Sequence, residues 1–407
     1  MTDPADLGTA EAARLIAAGD LSSEELVSAC LARIEAGEPL GSLHGVPVGI
    51  KDIIDTADMP TENGFNGHEG RRPGADVACV AQLRDAGAVI LGKAVTTELA
   101  NRVARQTRNP VNPAHTPGGS SSGSTAAVGA GMVPAALGTQ TGGSVIRPAS
   151  YCGIHTLKPS FGLISRHGIM PHDTIGTYGL SVEDVAYLAD ALTVPDPRDP
   201  DCCHTARPAL HRAAMEDPLH PPQLAFVRTP VWGQGKPPMR AALEGFAASL
   251  GGDCEEVALP GEMAAAWDWH WICQYYGMAR YYGPLSYYYG DRMSPRLAQH
   301  VVEGREISSA AYRDAVAKRA TAYAALEPIF AGFDAILTPA SPGPAPEGLM
   351  SAGPATFNAF WTYCGTPCVN LPLLEVDGLP MGVQLVGPKG SDGALMRTAR
   401  WLEGQVT

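Results

Sequence analysis

Residues 109–146 form a run of 38 positions with no Asp, Glu, Lys or Arg. The run holds eight glycines, nine serines or threonines and four prolines. A solvated loop of that length would carry charge, and a membrane-spanning segment would not hold four prolines and so many hydroxyls. What fits is a buried segment whose hydroxyls and backbone amides face an internal polar site, since polar groups removed from water have to find hydrogen-bond partners. Whatever fold the chain adopts must enclose this segment.

The chain is long enough to do so. A protein of 407 residues buries roughly three quarters of its unfolded surface and needs no disulfide or metal to hold it together. Its formal net charge is −13, and no basic run exceeds two residues. Such a surface repels phosphate backbones and anionic bilayers, which argues against nucleic acid and membranes as partners. No apolar run approaches the ~20 residues of a membrane-spanning helix. The acidic start, Met1-Thr2-Asp3-Pro4-Ala5-Asp6, lacks the basic-then-apolar layout of an export signal. Nine cysteines, scattered apart from Cys202-Cys203 and Cys364/Cys368, include no Cys-x-x-Cys, and there is no His-Glu-x-x-His. A cytoplasmic protein with reduced thiols, no metal site and no cofactor is expected.

Helical spacing and capping signals predict helices over 10–18, after Thr9, and over 24–35, after Ser22 or Ser23. A β-rich run at 46–50 leads into Lys51, followed by a helix over 77–86 and a buried strand over 88–93. Further strands are expected at 224–227, 335–337 and 383–386. Helices are expected at 239–250 and 393–403, with a long helical region from 262 to 330. Residues 195–222, rich in Pro, Asp, His and Arg, read as an exposed connector. The alternation of helix and strand signals argues for an α/β fold, a mixed or parallel sheet covered by helices.

Three groups of residues can carry chemistry. Gly118-Gly119-Ser120-Ser121-Ser122-Gly123-Ser124 is not a phosphate loop, because no Gly-Lys-Ser/Thr follows. Five of these residues, 119–123, match the Gly-x-Ser-x-Gly nucleophile elbow, which would make Ser121 the nucleophile. An elbow needs a strand just upstream, and the Pro-rich residues 109–117 cannot be a central strand. Further on, Thr139-Gln140-Thr141-Gly142-Gly143-Ser144 brings two glycines that let consecutive N–H groups turn toward one point, as a developing oxyanion requires. A hydroxyl follows directly; a plain turn is the alternative. Serine needs a base, and the chain has six lysines against 23 arginines. Where Arg supplies positive charge so heavily, a Lys after an apolar strand is a candidate for the neutral form that guanidinium cannot reach. Lys51 fits best, because burial lowers a lysine pKa by up to ~3–5 units. Its alternative is an ordinary ion pair with Asp52 or Asp55.

Together these pieces resemble the amidase signature family. The resemblance is carried by Leu43-His44-Gly45-Val46-Pro47-Val48-Gly49-Ile50-Lys51-Asp52, by 118–124 and by Thr141-Gly142-Gly143-Ser144, with the family's own 24-residue gap between Ser120 and Ser144. Supporting matches include Glu98-Leu99-Ala100, Leu157-Lys158-Pro159 and Gly378-Leu379-Pro380-Met381-Gly382. The likeness covers most of 9–190 and 333–403. It implies a single large mixed, mostly parallel central sheet flanked by helices, in one domain over 1–407 with a variable helical segment at 195–330. It also implies a Ser–Ser–Lys triad. Ser144 would be the nucleophile, Ser120, after a cis peptide, the proton bridge, and Lys51 the base. The N–H groups of Thr141, Gly142 and Gly143 would form the oxyanion hole, with Glu98, Gly118 and Gly119 as further substrate contacts. Two departures touch the polar network around Ser144: Gln140 stands where the family has Asp, and Arg147 lies three residues after Ser144 rather than two. Residues 33–41 cut across where the family has some thirty residues more, which would remove one peripheral strand and helix.

Residues 267–289 hold ten of the chain's 27 aromatics. Trp267, Trp271 and Tyr275 recur at the spacing of a helix packing on the core. The other reading is one wall of an acyl or aryl pocket, to which Trp271, Tyr275 and Tyr276 would belong. The function expected is hydrolysis of the C–N bond of a small carboxamide through an acyl-enzyme, with a small-molecule amide as partner and a homodimer or a partner subunit left open. The alternatives are carbamate or ester hydrolysis by the same triad, a glutaminase-type component of a tRNA-dependent amidotransferase, and a catalytically silent binding protein.

Overall fold

Ten strands line up in one sheet: β1 (Pro47–Lys51), β2 (Val89–Ala94), β3 (Ala135–Gln140), β4 (His155–Lys158), β5 (Thr174–Gly179), β6 (Leu224–Phe226), β7 (Cys254–Glu256), β8 (Ala335–Pro339), β9 (Cys368–Val376) and β10 (Leu379–Val386). The computed structural model describes residues 4, 9–36, 41–101, 103, 106–202 and 208–406. The acidic start, the Thr9 cap, Cys30, Cys203 and the shortcut at 33–41 fall wholly or partly outside the described residues or side chains.

The spatial order is β2-β1-β3-β5-β4-β9-β10-β8-β6-β7. Two parallel wings, β2-β1-β3 and β8-β6-β7, flank an antiparallel centre. Four of the nine neighbouring pairs are parallel and five antiparallel, so the sheet is mixed but not mostly parallel. The wings are parallel because helices return the chain between their strands: Ala78–Asp85 between β1 and β2, Pro237–Ser249 between β6 and β7. At the centre, β9 and β10 are joined by Asp377-Gly378, with φ of 55° and 72°, a two-residue turn that folds one strand straight back on the other.

Helices cover both faces. Val182–Ala191 and Asp392–Glu403 pack Val185, Leu395, Met396 and Leu402 on one side against Leu157, Leu337, Val369 and Leu385. On the other side Phe360 and Trp361 meet Trp267 and Ile146. The predicted strands at 46–50, 88–93, 224–227, 335–337 and 383–386 correspond to β1, β2, β6, β8 and β10, with shifted ends. Ser22 caps the second helix, Ser23–Ala36: its Oγ accepts from the Glu25 N–H at 3.0 Å while the Glu25 carboxylate accepts from the Ser22 N–H at 2.7 Å. No helix among the described residues is long and apolar enough to cross a membrane. In the described part of the connector at 195–222 many residues are exposed, but Asp196 and Asp199 are buried and bind Ser165 and Arg166, each at 2.9 Å.

The charge-free run is buried or half-buried over 115–128 and 135–146, but it comes to the surface at Val111, Pro113, Ala114, 129–132 and Pro134. Where it is buried, its hydroxyls occupy backbone acceptors: Ser124 Oγ donates to the Leu137 carbonyl at 2.8 Å and Ser122 Oγ to that of Val95 at 3.2 Å. The helix Ser122–Gly129 thereby starts hard against the end of β2, and the Gly123 N–H donates to the Val95 carbonyl at 2.8 Å. A Cβ on Gly123 would stand 2.3 Å from the Val95 nitrogen. Gly123→Val is therefore expected to lose at least ~1–3 kcal/mol of stability, read as a lower urea midpoint at unchanged slope.

Candidate active site

Lys51 ends β1, an interior strand with β2 on one side and β3 on the other, and its side chain is fully buried. Nζ lies 2.7 Å from Ser120 Oγ, 2.9 Å from Thr139 Oγ1 and 3.2 Å from the Thr139 carbonyl oxygen. The ion-pair alternative does not apply: Asp52 sits 3.2 Å from Lys93, and Asp55 grips Arg71 at 2.7 Å. Burial brings the Lys51 pKa down to about 7, with Asp173 opposing the shift and Arg147 adding to it. Nζ donates to all three oxygens, and in the neutral form of the amine its lone pair is free to take the Ser120 proton instead. Asp173 is buried too, and burial raises its pKa against the Lys51 charge and the hydroxyls of Thr141 and Thr139, which all lower it. Thr139 thus stands between the carboxyl group and the amine.

Ser120 follows a cis Gly119–Ser120 peptide, and its carbonyl oxygen accepts from the Thr97 N–H and the Thr96 hydroxyl, each at 3.2 Å. Ser121 points the other way, buried against β3, with its Oγ 3.4 Å from the Thr139 carbonyl. The elbow reading fails on these contacts.

The chain turns sharply after β3. The N–H groups of Gly142, Gly143 and Ser144 find no acceptor among the described residues. A Cβ on Gly143 would lie 2.5 Å from Asn358 Oδ1 and 2.9 Å from Arg147 Nη1, so the turn has room only for glycine there. Gln140 does what a capping carboxylate would do: its Oε1 accepts from the N–H groups of Val145 at 2.7 Å and Ile146 at 3.0 Å. Its Nε2 donates to Thr362 Oγ1 at 2.8 Å, and that hydroxyl lies 2.7 Å from the Gly142 carbonyl. Arg147, buried in the helix Ile146–Cys152, ties the Ala352 carbonyl at 2.8 Å to that of Gly119.

Ser120, Thr141, Gly142, Gly143, Ser144 and Trp271 share a narrow cleft of about 400 Å³, counted with the open space at its mouth. Asn101, Arg147, Gln274, Ala352, Gly353 and Ala355 help to wall it. The other candidate contacts are placed elsewhere. Tyr275 stacks on His300, with ring centroids 4.9 Å apart, and Tyr276 on Tyr312 at 4.2 Å. Glu98 clamps the start of the helix Pro295–Glu306 by accepting from the Ser294 N–H at 2.9 Å. Gly118, at φ 79°, packs on Pro148 and Tyr151, and Gly119 on Thr97 and Ala352. Sequence reasoning missed Thr139, Asp173 and Gln274; the aromatic helix carries the last of these one turn from Trp271. No cluster of three or more His, Cys, Asp or Glu side chains among the described residues is placed to hold a metal ion. Replacing Gln140 with Leu would leave the Val145 and Ile146 N–H groups buried without an acceptor. A loss of about 1–3 kcal/mol in the urea-derived stability is expected, largely restored in Gln140→Glu.

A family model described as Amidase matches residues 21–396. A glutamyl-tRNA(Gln) amidotransferase component from Chloroflexus aurantiacus is 31% identical over 98% of this chain and 96% of its own length. Among solved structures, a chain of a vestigial protein complex linked to the origins of an s-triazine catabolic enzyme superposes with a TM-score of 0.84 at 26% identity, over 98% of both chains. The peptide amidase of Stenotrophomonas maltophilia does so with a TM-score of 0.77 at 27% identity, over 99% of this chain and 97% of that one. The chain belongs to the amidase family, enzymes that hydrolyse carbon–nitrogen bonds.

Proposed function

We propose that the chain hydrolyses the amide bond of a small, uncharged carboxamide through an acyl-enzyme on Ser144, with Ser120 as proton bridge and Lys51 as base. The observation that carries this reading is the fully buried Lys51 amine, 2.7 Å from the hydroxyl of Ser120, which shares one cleft with Ser144. With its pKa near 7, about half of the amine is neutral at pH 7. For an ordinary lysine the fraction is on the order of one in a few thousand.

Attack proceeds with two proton transfers. Ser144 Oγ bonds to the substrate carbonyl carbon as its proton moves to Ser120 Oγ and the Ser120 proton moves to Lys51 Nζ. The carbonyl oxygen, now anionic, accepts hydrogen bonds from backbone N–H groups at Thr141, Gly142 and Gly143. As the intermediate collapses, the C–N bond breaks and the Lys51 proton returns through Ser120 to the leaving nitrogen. Water then repeats the sequence on the acyl-enzyme. Esters and carbamates fit the same steps.

The lining of the cleft supports an uncharged substrate: among the described residues it includes no Asp or Glu, and the one cation among them, Arg147, binds two carbonyls. A second reading, release of ammonia from glutamine within a larger amidotransferase, is favoured by the full-length similarity to the Chloroflexus protein. Against it, a free amino acid brings an ammonium group, and the described residues of the cleft lining offer that group no carboxylate.

On a panel of aliphatic and aryl amides, carbamates and glutamine, Ser144→Ala should abolish turnover and covalent labelling by a fluorophosphonate. Lys51→Ala should lose at least ~10³-fold in kcat/KM, since base and proton donor are one residue; near-normal turnover would remove Lys51 from the mechanism. The base acts unprotonated, so kcat/KM should rise with pH through about 7 and level off above it. Asp173 holds the Lys51 pKa up. Asp173→Asn should therefore shift that limb to lower pH, and an unmoved limb would show that Asp173 does not act on the amine.

A further inference from the structure

We propose that Gln274 is a specificity residue that accepts a hydrogen bond from a neutral N–H group of the substrate; this rests on the amidase reading above. Gln274 lies on the helix Ala266–Tyr282, one turn beyond Trp271, and its side chain lines the cleft with Ser144 and Gly142. A Cβ built on Gly142 would stand 3.5 Å from Gln274 Oε1, so this carbonyl oxygen sits beside the turn that faces the reacting carbonyl. Oε1 is buried from solvent and accepts no hydrogen bond among the described residues. An acceptor held in that state destabilises the empty site and gains when a ligand brings a donor.

The side chains of Asn101, Thr141 and His270 beside it already have partners within the protein. Asn101 Nδ2 pairs with His300 Nδ1 at 3.1 Å, the Thr141 hydroxyl binds Asp173, and His270 Nε2 donates to the Thr141 carbonyl at 2.9 Å. Arg147 spans two carbonyls. Ala100, Ala352, Gly353 and Ala355 offer no side-chain donor. The unmet acceptor therefore points to a donor supplied from outside, and the lack of any carboxylate among the described residues of the lining favours a neutral N–H over an ammonium. Two sources share this chemistry: the N–H of the scissile amide, which an ester lacks, and an N–H on the acyl side, as in an N-acylamino carboxamide.

The test compares wild type, Gln274→Met and Gln274→Glu on three matched substrates. These are an N-acylamino primary carboxamide, the same compound methylated on the acyl-side nitrogen, and its ester. Methionine keeps the length and removes the acceptor; glutamate keeps the acceptor. Gln274→Met should lower kcat/KM for the parent amide by roughly ten- to a hundredfold, and it should cut the amide-to-ester ratio or the N–H-to-N-methyl ratio by the same factor. A change confined to the first ratio identifies the scissile nitrogen as donor, and a change confined to the second identifies the acyl-side nitrogen. Gln274→Glu should keep the ratios near those of wild type. Ratios unmoved in Gln274→Met, or moved equally in Gln274→Glu, would overturn the assignment. Turnover that survives Ser144→Ala would instead sink the amidase reading, with the Gln274 ratios still measurable.

Discussion

One amine removed from water sets the terms for the rest of the site. An isolated ammonium in a protein interior is costly, and the surroundings of Lys51 lower the cost by favouring the uncharged form. That burial requires an interior strand, which is why β1 lies between β2 and β3, with Ser120 and the helix Ser122–Gly129 closing over its carboxyl end. Binding sites at the carboxyl ends of parallel strands are a general property of α/β sheets, and the candidate site lies at that end of the β2-β1-β3 wing. Burial alone does not make a base, however. Lys158 is equally buried and donates to the Pro159 carbonyl at 2.9 Å, so what distinguishes Lys51 is the hydroxyl in front of it.

The parts of the site that were legible in the sequence lie in short, locally determined pieces. The apolar run ending at Lys51, the serine cluster and the double glycine before Ser144 each carry their meaning within ten residues. Thr139, Asp173 and Gln274 do not, because their places around the amine and the cleft arise only when β3, the approach to β5 and a distant helix meet. The strands behave likewise. β1, β2, β6, β8 and β10 are apolar and readable, whereas β5 is rich in Gly and Thr and β3, Ala-Ala-Leu-Gly-Thr-Gln, lacks β-branched apolar residues; both owe their conformation to their neighbours in the sheet. Asp377-Gly378 between apolar runs was a hairpin signal in plain sight, and it marks the antiparallel centre that the alternation of helices and strands obscured.

The aromatic helix illustrates a limit of periodicity. Spacing identifies a face but not what it meets. Trp267 stacks on Phe360 at 4.9 Å, as a core residue would, and Trp271 a turn later reaches the cleft. Tyr275 and Tyr276 leave that face and join the neighbouring helices. At Gln140 the difference from the family pattern is chemically small: an amide oxygen caps the same turn that a carboxylate oxygen would, without adding a charge near the amine.

The seam between β4 and β9 carries a consequence for how the molecule comes into being. Asn370 Nδ2 donates to the Ile154 carbonyl at 2.8 Å, joining partners 216 residues apart. Ala352, Gly353 and Ala355 reach the cleft, and Thr362 braces the Gly142 carbonyl, from the same late part of the chain. A nascent polypeptide emerging from the ribosome would hold both serines and the lysine long before these pieces exist. Ordering so distant a closure is slow, and one wall of the cleft is missing until the last quarter of the chain arrives.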